Sequence, residues 1–348
     1  MINLKQLFES SIKEGATNIY VKAAEPPAFL INNKVVKAKS DPLTAAICQD
    51  ICYKALSNQQ IEDLKKEGLL NLTIENEDGV RFKSSIQFLN GEVSAVFKRL
   101  LSELPAIKDL DFPPSFKSVI NLKSGIVLFV GPKNSGKTTS LAAIIDYYNR
   151  NKRASSVTLE STIEYSYQTG KGVINQVDKK KAGKNAADIV RSYSPDIVTI
   201  DCAVGAEEIK LSYDLALSGA LVFMAINAET AYDAIKRVTM NLEKEEKEFF
   251  LSKVSSVILQ KLVVNDEKKL MPISEITFID SEIEKALVES HQEKVEELIK
   301  IDRNKLGNTT INQTLMNHVI KRKIDVKNAF MVSPKPDDLD NMLKQAGF

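Results

Sequence analysis

The stretch IVLFVGPKNSGKTTSLAAIIDYY, residues 126–148, decides how the chain is read. An apolar segment of strand length runs into a glycine-bearing loop and then into an amphipathic helical pattern. Gly131, Gly136, Lys137 and Thr138 satisfy G-x-x-x-x-G-K-[ST], and the strand before and helix after supply the context that a phosphate-cradling loop needs. Glycines let successive backbone N–H groups curl around an anion, and the N-terminus of the following helix adds a favourable dipole. Lys137 is the cation that reaches terminal phosphates, and the Thr138 hydroxyl is the expected Mg²⁺ ligand. The expected phosphate-binding set is Gly131, Asn134, Ser135, Gly136, Lys137, Thr138 and Thr139. A loop of this kind serves many chemistries and names none of them alone.

Working outward, the pattern changes on either side of residue 100. Upstream, residues 3–14 read as a helix with Leu4, Leu7, Phe8 and Ile12 on one face. NIYVKAAEPPAFLINNKVVKA (18–38) reads as two short strands around a Pro-Pro break, and a helix is expected from about Asp41 to Leu56. A second helix follows with Ser57 as N-cap, then a meander of strands with hairpin turns at EDG and NGE. Downstream, buried strand, loop, helix and buried strand alternate, which implies a mostly parallel sheet with helices on its faces. The expected division is an α+β domain over 1–98, a proline-bearing linker over 99–115, an α/β core over 116–280 and a charged helical region over 281–348.

Composition narrows the class. Hydrophobic residues make up 43% and charged residues 27% of 348, ordinary for a protein with a real core. A net charge of +1 gives no global field to draw in nucleic acid or acidic lipid. DKKKAGKN (178–185) reads as a solvated loop, or its Lys179 to Lys181 or Lys184 as phosphate-neutralising groups at a subunit interface; the absence of interleaved aromatics weakens a nucleic-acid reading. No apolar run is long enough for a transmembrane segment, and the first residues lack a signal-peptide layout. The three cysteines, Cys48, Cys52 and Cys202, are too sparse and odd in number for a disulfide framework. Cys48 and Cys52, four apart, read as a small buried helix face.

A second decisive stretch is SPDIVTIDCAVG, residues 194–205. Ile197 to Ile200 form a buried-strand pattern that ends on Asp201, where a nucleotide hydrolase holds Mg²⁺ and activates water. Taken with the phosphate loop, this chain resembles the type II/IV secretion ATPases, and most closely the PilT-like type IV pilus retraction ATPases. EGATNIYVKAAEPPAFLINNKVV (14–36) and GVRFKSSIQFLNGEVSAVFKRL (79–100) resemble that family's PAS-like N-terminal domain. VTLESTIEYSYQTGKGVINQ (157–176) resembles its acidic box, SPDIVTIDCAVG its Walker B segment, and SGALVFMAINAETAYDAIKRV (218–238) its histidine box. TINQTLMNHVIKRKIDVKNAFMVSPKPDDL (310–339) resembles its C-terminal helices. The resemblance implies a PAS-like domain joined to a RecA-like P-loop NTPase domain, a hexameric ring, ATP and Mg²⁺ as cofactors, and ATP held between the two domains. It implies an inner-membrane pilus platform protein as partner, and a cytoplasmic protein peripheral to the inner membrane.

The departures from the family are concentrated in the catalytic boxes. The acidic box reads LESTIE, keeping Glu160 and Glu164 but replacing an Asp-Pro pair by Ser161 and Thr162. The family's Gly-Glu-Met-Arg-Asp at Walker B is Asp201, Cys202, Ala203, Val204 and Gly205, so Cys202 stands at the glutamate position and Val204 at the arginine. Ala220 and Asn227 replace two histidines, and Lys83 and Lys98 stand at positions resembling arginine fingers. Val177 stands where an arginine is usual, and Glu284 and Val288 replace both arginines of the tail motif linked to retraction. A thiol is a weak acceptor, and a thiolate beside a polyphosphate is disfavoured. The remaining candidate catalytic carboxylates are Glu160 and Asp201, the latter also an expected Mg²⁺ ligand. The pattern points to an ATP-binding, hydrolysis-impaired subunit, accessory or regulatory in pilus retraction, in a homo-hexamer or a mixed ring with an active paralogue. The alternatives are a fully active motor using Asp201 or Glu160, a nucleotide-independent oligomeric scaffold, and a RecA-like DNA motor.

Overall fold

A computed structural model describes residues 2–31, 34–100, 104–201, 205–300 and 307–348. The chain divides into two compact units: Met1–Glu103 with Glu164–Ser166, and Leu104–Ile163 with Tyr167–Phe348.

The first unit opens with helix α1 (Leu4–Lys13), started by a capping box in which Asn3 and Gln6 satisfy each other's backbone N–H groups. Strands β1 (Asn18–Val21), β2 (Ala28–Ile31) and β3 (Lys34–Lys37) follow. Pro26 and Pro27 therefore separate β1 from a pair of strands, giving three strands where the sequence pattern suggests two. Helix α2 (Ala45–Tyr53) is shorter than expected. Pro42 disfavours helix at the residue before it, and Thr44 caps the helix instead, accepting from the Ile47 N–H at 3.3 Å. Helix α3 (Asn58–Glu67) starts on Ser57 and stops at Gly68, whose φ of 76° terminates it in the left-handed region. The meander is β4 (Leu69–Glu75), β5 (Arg81–Leu89) and β6 (Glu92–Arg99). All six strands form one antiparallel sheet in the order β3-β2-β1-β6-β5-β4.

The core of this unit is built on alternation. Phe82, Ser84 and Ile86 of β5 point inward, and Phe8 of α1 stacks on Phe82 with ring centroids 3.9 Å apart. Phe97 closes edge-on against Phe8 at 5.4 Å. Cys48 and Cys52 are fully buried beside Ile51 in the same core, as a small helix face. Burial raises both thiols, Cys52 to about 12.

The second unit is an α/β layer structure. Its elements run α4 (Phe116–Val119), β7 (Gly125–Gly131), α5 (Lys137–Asn151), β8 (Ser155–Glu160), β9 (Val173–Asp178), α6 (Lys179–Ala182), α7 (Ala186–Ser192), β10 (Ile197–Ile200), α8 (Ala206–Leu217), β11 (Leu221–Asn227), α9 (Ala231–Thr239), α10 (Lys244–Leu251), β12 (Val254–Val264) and β13 (Leu270–Phe278). Helices α11 (Ser281–Val288), α12 (Gln292–Lys300), α13 (Ile311–Ile320), α14 (Val326–Val332) and α15 (Pro336–Gln345) complete it. The sheet order is β13-β12-β7-β11-β10-β8-β9, parallel except for the β12–β13 hairpin at one edge.

Strand β7 is buried along its whole length because it feeds two cores. Ile126, Leu128 and Val130 face one cluster with helices α8 and α9, and Ile283, Leu315 and Leu339 of the C-terminal helices join it. Val127 and Phe129 face the other, with Ile144 and Tyr148 of α5. A strand covered on both faces reads as continuous apolar sequence, which is why GIVLFVG has no alternation. No helix among the described residues is long and apolar enough to cross a membrane.

Two tests follow from these cores. Phe82→Ala is expected to destabilise the first unit by roughly 3–5 kcal/mol, the range for truncating a packed aromatic; denaturant titration showing less than about 1 kcal/mol would contradict the stacked core. In native protein at pH 8, Cys48 and Cys52 stay protonated and shielded, so iodoacetamide should leave both unmodified by peptide mass spectrometry until denaturant is added. Labelling of either at the rate of a free thiol would show that the α2 face opens.

Candidate functional site

The loop between β7 and α5 is shaped by two glycines with different duties. Gly131 ends β7 where a Cβ would stand 2.3 Å from the Gln260 carbonyl oxygen and 2.5 Å from Ser135 Oγ, so no side chain fits. Gly136 adopts φ 84°, and Asn134 before it φ 65°, which turns the loop back on itself. Helix α5 then starts with no side-chain cap. The first N–H groups of a helix have no acceptor within it, which is why helix N-termini suit anions. Lys137 lies in the first turn, only 8% exposed, and its Nζ donates to the carbonyls of Gly131 at 2.9 Å and Pro132 at 2.7 Å. The ammonium is thereby folded over the loop. Thr138 and Thr139 follow, both half-buried.

The carboxyl ends of the parallel strands form a row beside this loop, the usual location of ligands in open α/β sheets. Asn227 ends β11 directly opposite Gly131 in register. On the far side of β11, β10 ends at Ile200, paired with Leu159 of β8. The next residues, Asp201 and Glu160, are therefore level with each other, and the Asp201 N–H donates to the Leu159 carbonyl at 3.0 Å. Glu160 is in turn level with Asp178 of β9. Glu160 is buried, and its Oε1 accepts from Thr158 Oγ1 at 2.6 Å and from Gln176 Nε2 at 3.1 Å. Asp178 caps α6, accepting from the Lys180 and Lys181 N–H groups. Asp201 is half-buried.

Cys202, Ala203 and Val204 lie outside the described residues. The lysine run 178–185 is a capped helical turn rather than an open loop. Its Lys180, Lys181 and Lys184 are exposed, whereas Lys179 forms an ion pair with the buried Glu208 in the first turn of α8. Val177 is a core residue packed with α7. Ala220 is buried just before β11, and Val288 packs against the same core from α11. In the first unit, Lys83 and Lys98 are direct cross-strand neighbours on β5 and β6. Glu164, the second glutamate of the acidic box, belongs to that unit: its carboxylate accepts from Lys83 Nζ at 3.3 Å, and its carbonyl accepts from Arg81. The structure thus gathers Asp201 and Glu160 at one strand-end row, level with Asp178, while Glu164 keeps company with Lys83. Sequence patterns did not signal the contacts of Gln260, of Gln176 with Glu160 or of Lys179 with Glu208, because each joins residues far apart in the chain.

The groups present suit a nucleotide and Mg²⁺. The cradle excludes side chains where phosphate oxygens need backbone N–H groups, and Thr138 and Asp201 offer the hard oxygen donors that Mg²⁺ prefers. With a central parallel strand feeding this loop and acidic residues ending the strands beyond it, the second unit is a RecA-like P-loop NTPase domain, preceded by a PAS-like α+β domain. The chain belongs to the type II/IV secretion system protein family, whose model matches residues 1–335. It is 28% identical over 269 residues to the type IV pilus retractation ATPase PilT of Pseudomonas aeruginosa, covering 75% of this chain and 78% of that protein. The type IV pilus ATPase PilU of the same organism is 25% identical over 68% of this chain and 63% of its own length. Among solved structures, the pilus retraction motor PilT with bound ADP superposes with a TM-score of 0.81 at 25% identity, covering 98% of this chain and all of the other. The DotB ATPase of Legionella pneumophila shares the fold, with a TM-score of 0.79 over 94% of each chain at 18% identity.

The loop geometry makes Gly131 intolerant of any side chain. Gly131→Ala drives a methyl into the β12 backbone and is expected to lower stability by about 1–3 kcal/mol, the usual cost of overpacking. A denaturant midpoint equal to wild type would show that β12 and the loop are not in the described contact.

Proposed function

We propose that this chain is a nucleotide-binding, PilT-like subunit of a type IV pilus or type II secretion machine whose hydrolysis is weakened and whose role in retraction is accessory or regulatory. The observation that carries the reading is the contrast between an intact phosphate loop and a substituted Walker B segment. Gly131, Asn134, Ser135, Gly136, Lys137, Thr138 and Thr139 would hold the phosphates, and Thr138 with Asp201 would hold Mg²⁺. Mg²⁺, when bound, neutralises charge on the terminal phosphates. Cys202 stands where the family places a glutamate, and loss of a positioned acid or base costs roughly 10²- to 10⁴-fold in rate. Lys83 and Lys98 keep positive charge but lack the planar fork with which arginine grips two oxygens. Glu160 is a poor replacement base because its carboxylate is already engaged by Thr158 and Gln176.

The proposed setting is a homo-hexamer or a mixed ring with an active paralogue, docked on an inner-membrane platform protein from the cytoplasmic side. That one organism contributes both a PilT and a PilU among the relatives supports a paired arrangement. A second reading, an active motor, draws on one feature: Asp201 and Glu160 are level at adjacent strand ends, where either could orient water.

Binding and steady-state hydrolysis of ATP with Mg²⁺ separate the readings. Wild type should bind ATP with turnover near background, Lys137→Ala should abolish binding, and Cys202→Glu should raise turnover by about 10²-fold or more. Brisk wild-type turnover that Lys137→Ala stops would overturn the impaired reading in favour of the motor. Unchanged ATP affinity in Lys137→Ala would remove the nucleotide altogether.

A further inference from the structure

We propose that Gln260 is a positioning residue for the phosphate loop, locking the Ser135–Gly136 peptide in its anion-ready orientation. The inference rests on the nucleotide-binding reading above. Gln260 lies on β12, a different strand from the one that bears the loop, and is fully buried. Its Nε2 donates to the Ser135 carbonyl at 2.7 Å, and its Oε1 accepts from Ser140 Oγ at 2.8 Å. The carbonyl fixes which way round the amide sits, since only the NH₂ end can meet an acceptor. The hydroxyl of Ser140 then completes the pair from the first turn of α5. One planar group therefore ties both ends of the glycine turn to the sheet.

The placement is not incidental to strand packing. Ile258, two residues earlier on β12, packs with Leu141 and Ile144 of α5, so an apolar side chain at 260 would continue that apolar face. A buried amide is costly unless both its ends are satisfied, and here both are. The pairing of β12 with β7 also shifts register between Val254 and Ser256. Such an extra residue re-aims every side chain beyond it, Gln260 included.

The physical need for a lock comes from Gly136. Rotating the Ser135–Gly136 peptide plane changes φ of Gly136, and glycine accepts both signs at little cost. A flipped plane would turn a carbonyl oxygen toward the space that N–H groups must face. Holding the Ser135 carbonyl on Gln260 removes that alternative before nucleotide arrives. A Cβ on Gly136 would come within 3.0 Å of the same Nε2, so amide and glycine are fitted to each other.

The test is titration of the full-length chain with fluorescent ADP and Mg²⁺ between pH 6 and 9, for wild type, Gln260→Leu, Gln260→Glu, Ser140→Ala and Lys137→Ala. Gln260→Leu should weaken ADP on the order of tenfold or more, and Ser140→Ala by a few-fold, the range for an orphaned buried partner. Gln260→Glu discriminates positioning from bulk packing. Its protonated acid can donate to the Ser135 carbonyl and its carboxylate cannot, so its Kd relative to wild type should climb with pH. The Gln260→Leu ratio should stay flat. The inference is overturned if folded Gln260→Leu and Gln260→Glu bind ADP within twofold of wild type at every pH while Lys137→Ala has lost binding. If Gln260→Leu does not fold, the pH slope of Gln260→Glu and the loss in Ser140→Ala decide. Unaltered ADP affinity in Lys137→Ala would instead sink the nucleotide reading, and this inference with it.

Discussion

The second unit depends on one close approach: the backbone of β12 passing against the end of β7. Gly131 lets the Gln260 carbonyl oxygen come to within 2.3 Å of the position a Cβ would take. Everything around the loop inherits that constraint. Strand β7 must sit between β12 and β11, apolar on both faces, for its end to be held rigidly. Helix α5 must pack on the sheet through Leu141, Ile144 and Tyr148 for its uncapped first turn to face the loop. A helix N-terminus left without a side-chain cap is a local cost, of the kind met where a helix start receives an anion.

Much of this fold was legible because its signals are local. The apolar run Ile197–Ile200 is a strand of those bounds, and Ser57 caps α3 as expected. The strand–loop–helix around Gly131 follows from residue pattern alone. The errors came where a nearby proline changes the geometry. Pro26 and Pro27 separate β1 from β2, and β2 and β3 are two paired strands where the residue pattern suggests one. Pro42 and Thr44 cut four residues from the expected start of α2. At the site, glycines and charged residues at motif spacing could be read, but Gln260 could not. A glutamine in VSSVILQKLVV is only a break in an apolar run, and its meaning depends on a register shift five residues earlier.

The strand-end row explains why substituting one acidic position is hard to offset. Three carboxylates lie level on neighbouring strands, Asp201, Glu160 and Asp178. Asp178 is committed to the N–H groups of α6, and Glu160 to Thr158 and Gln176. A carboxylate oxygen that already accepts from two fixed donors has less freedom to accept from a positioned water. Asp201 carries neither of those hydrogen-bond sets, and its backbone N–H donates to the Leu159 carbonyl. With Cys202 at the sequence position where the family carries a glutamate, the described carboxylates of this row are Asp201 and two that already accept from fixed donors.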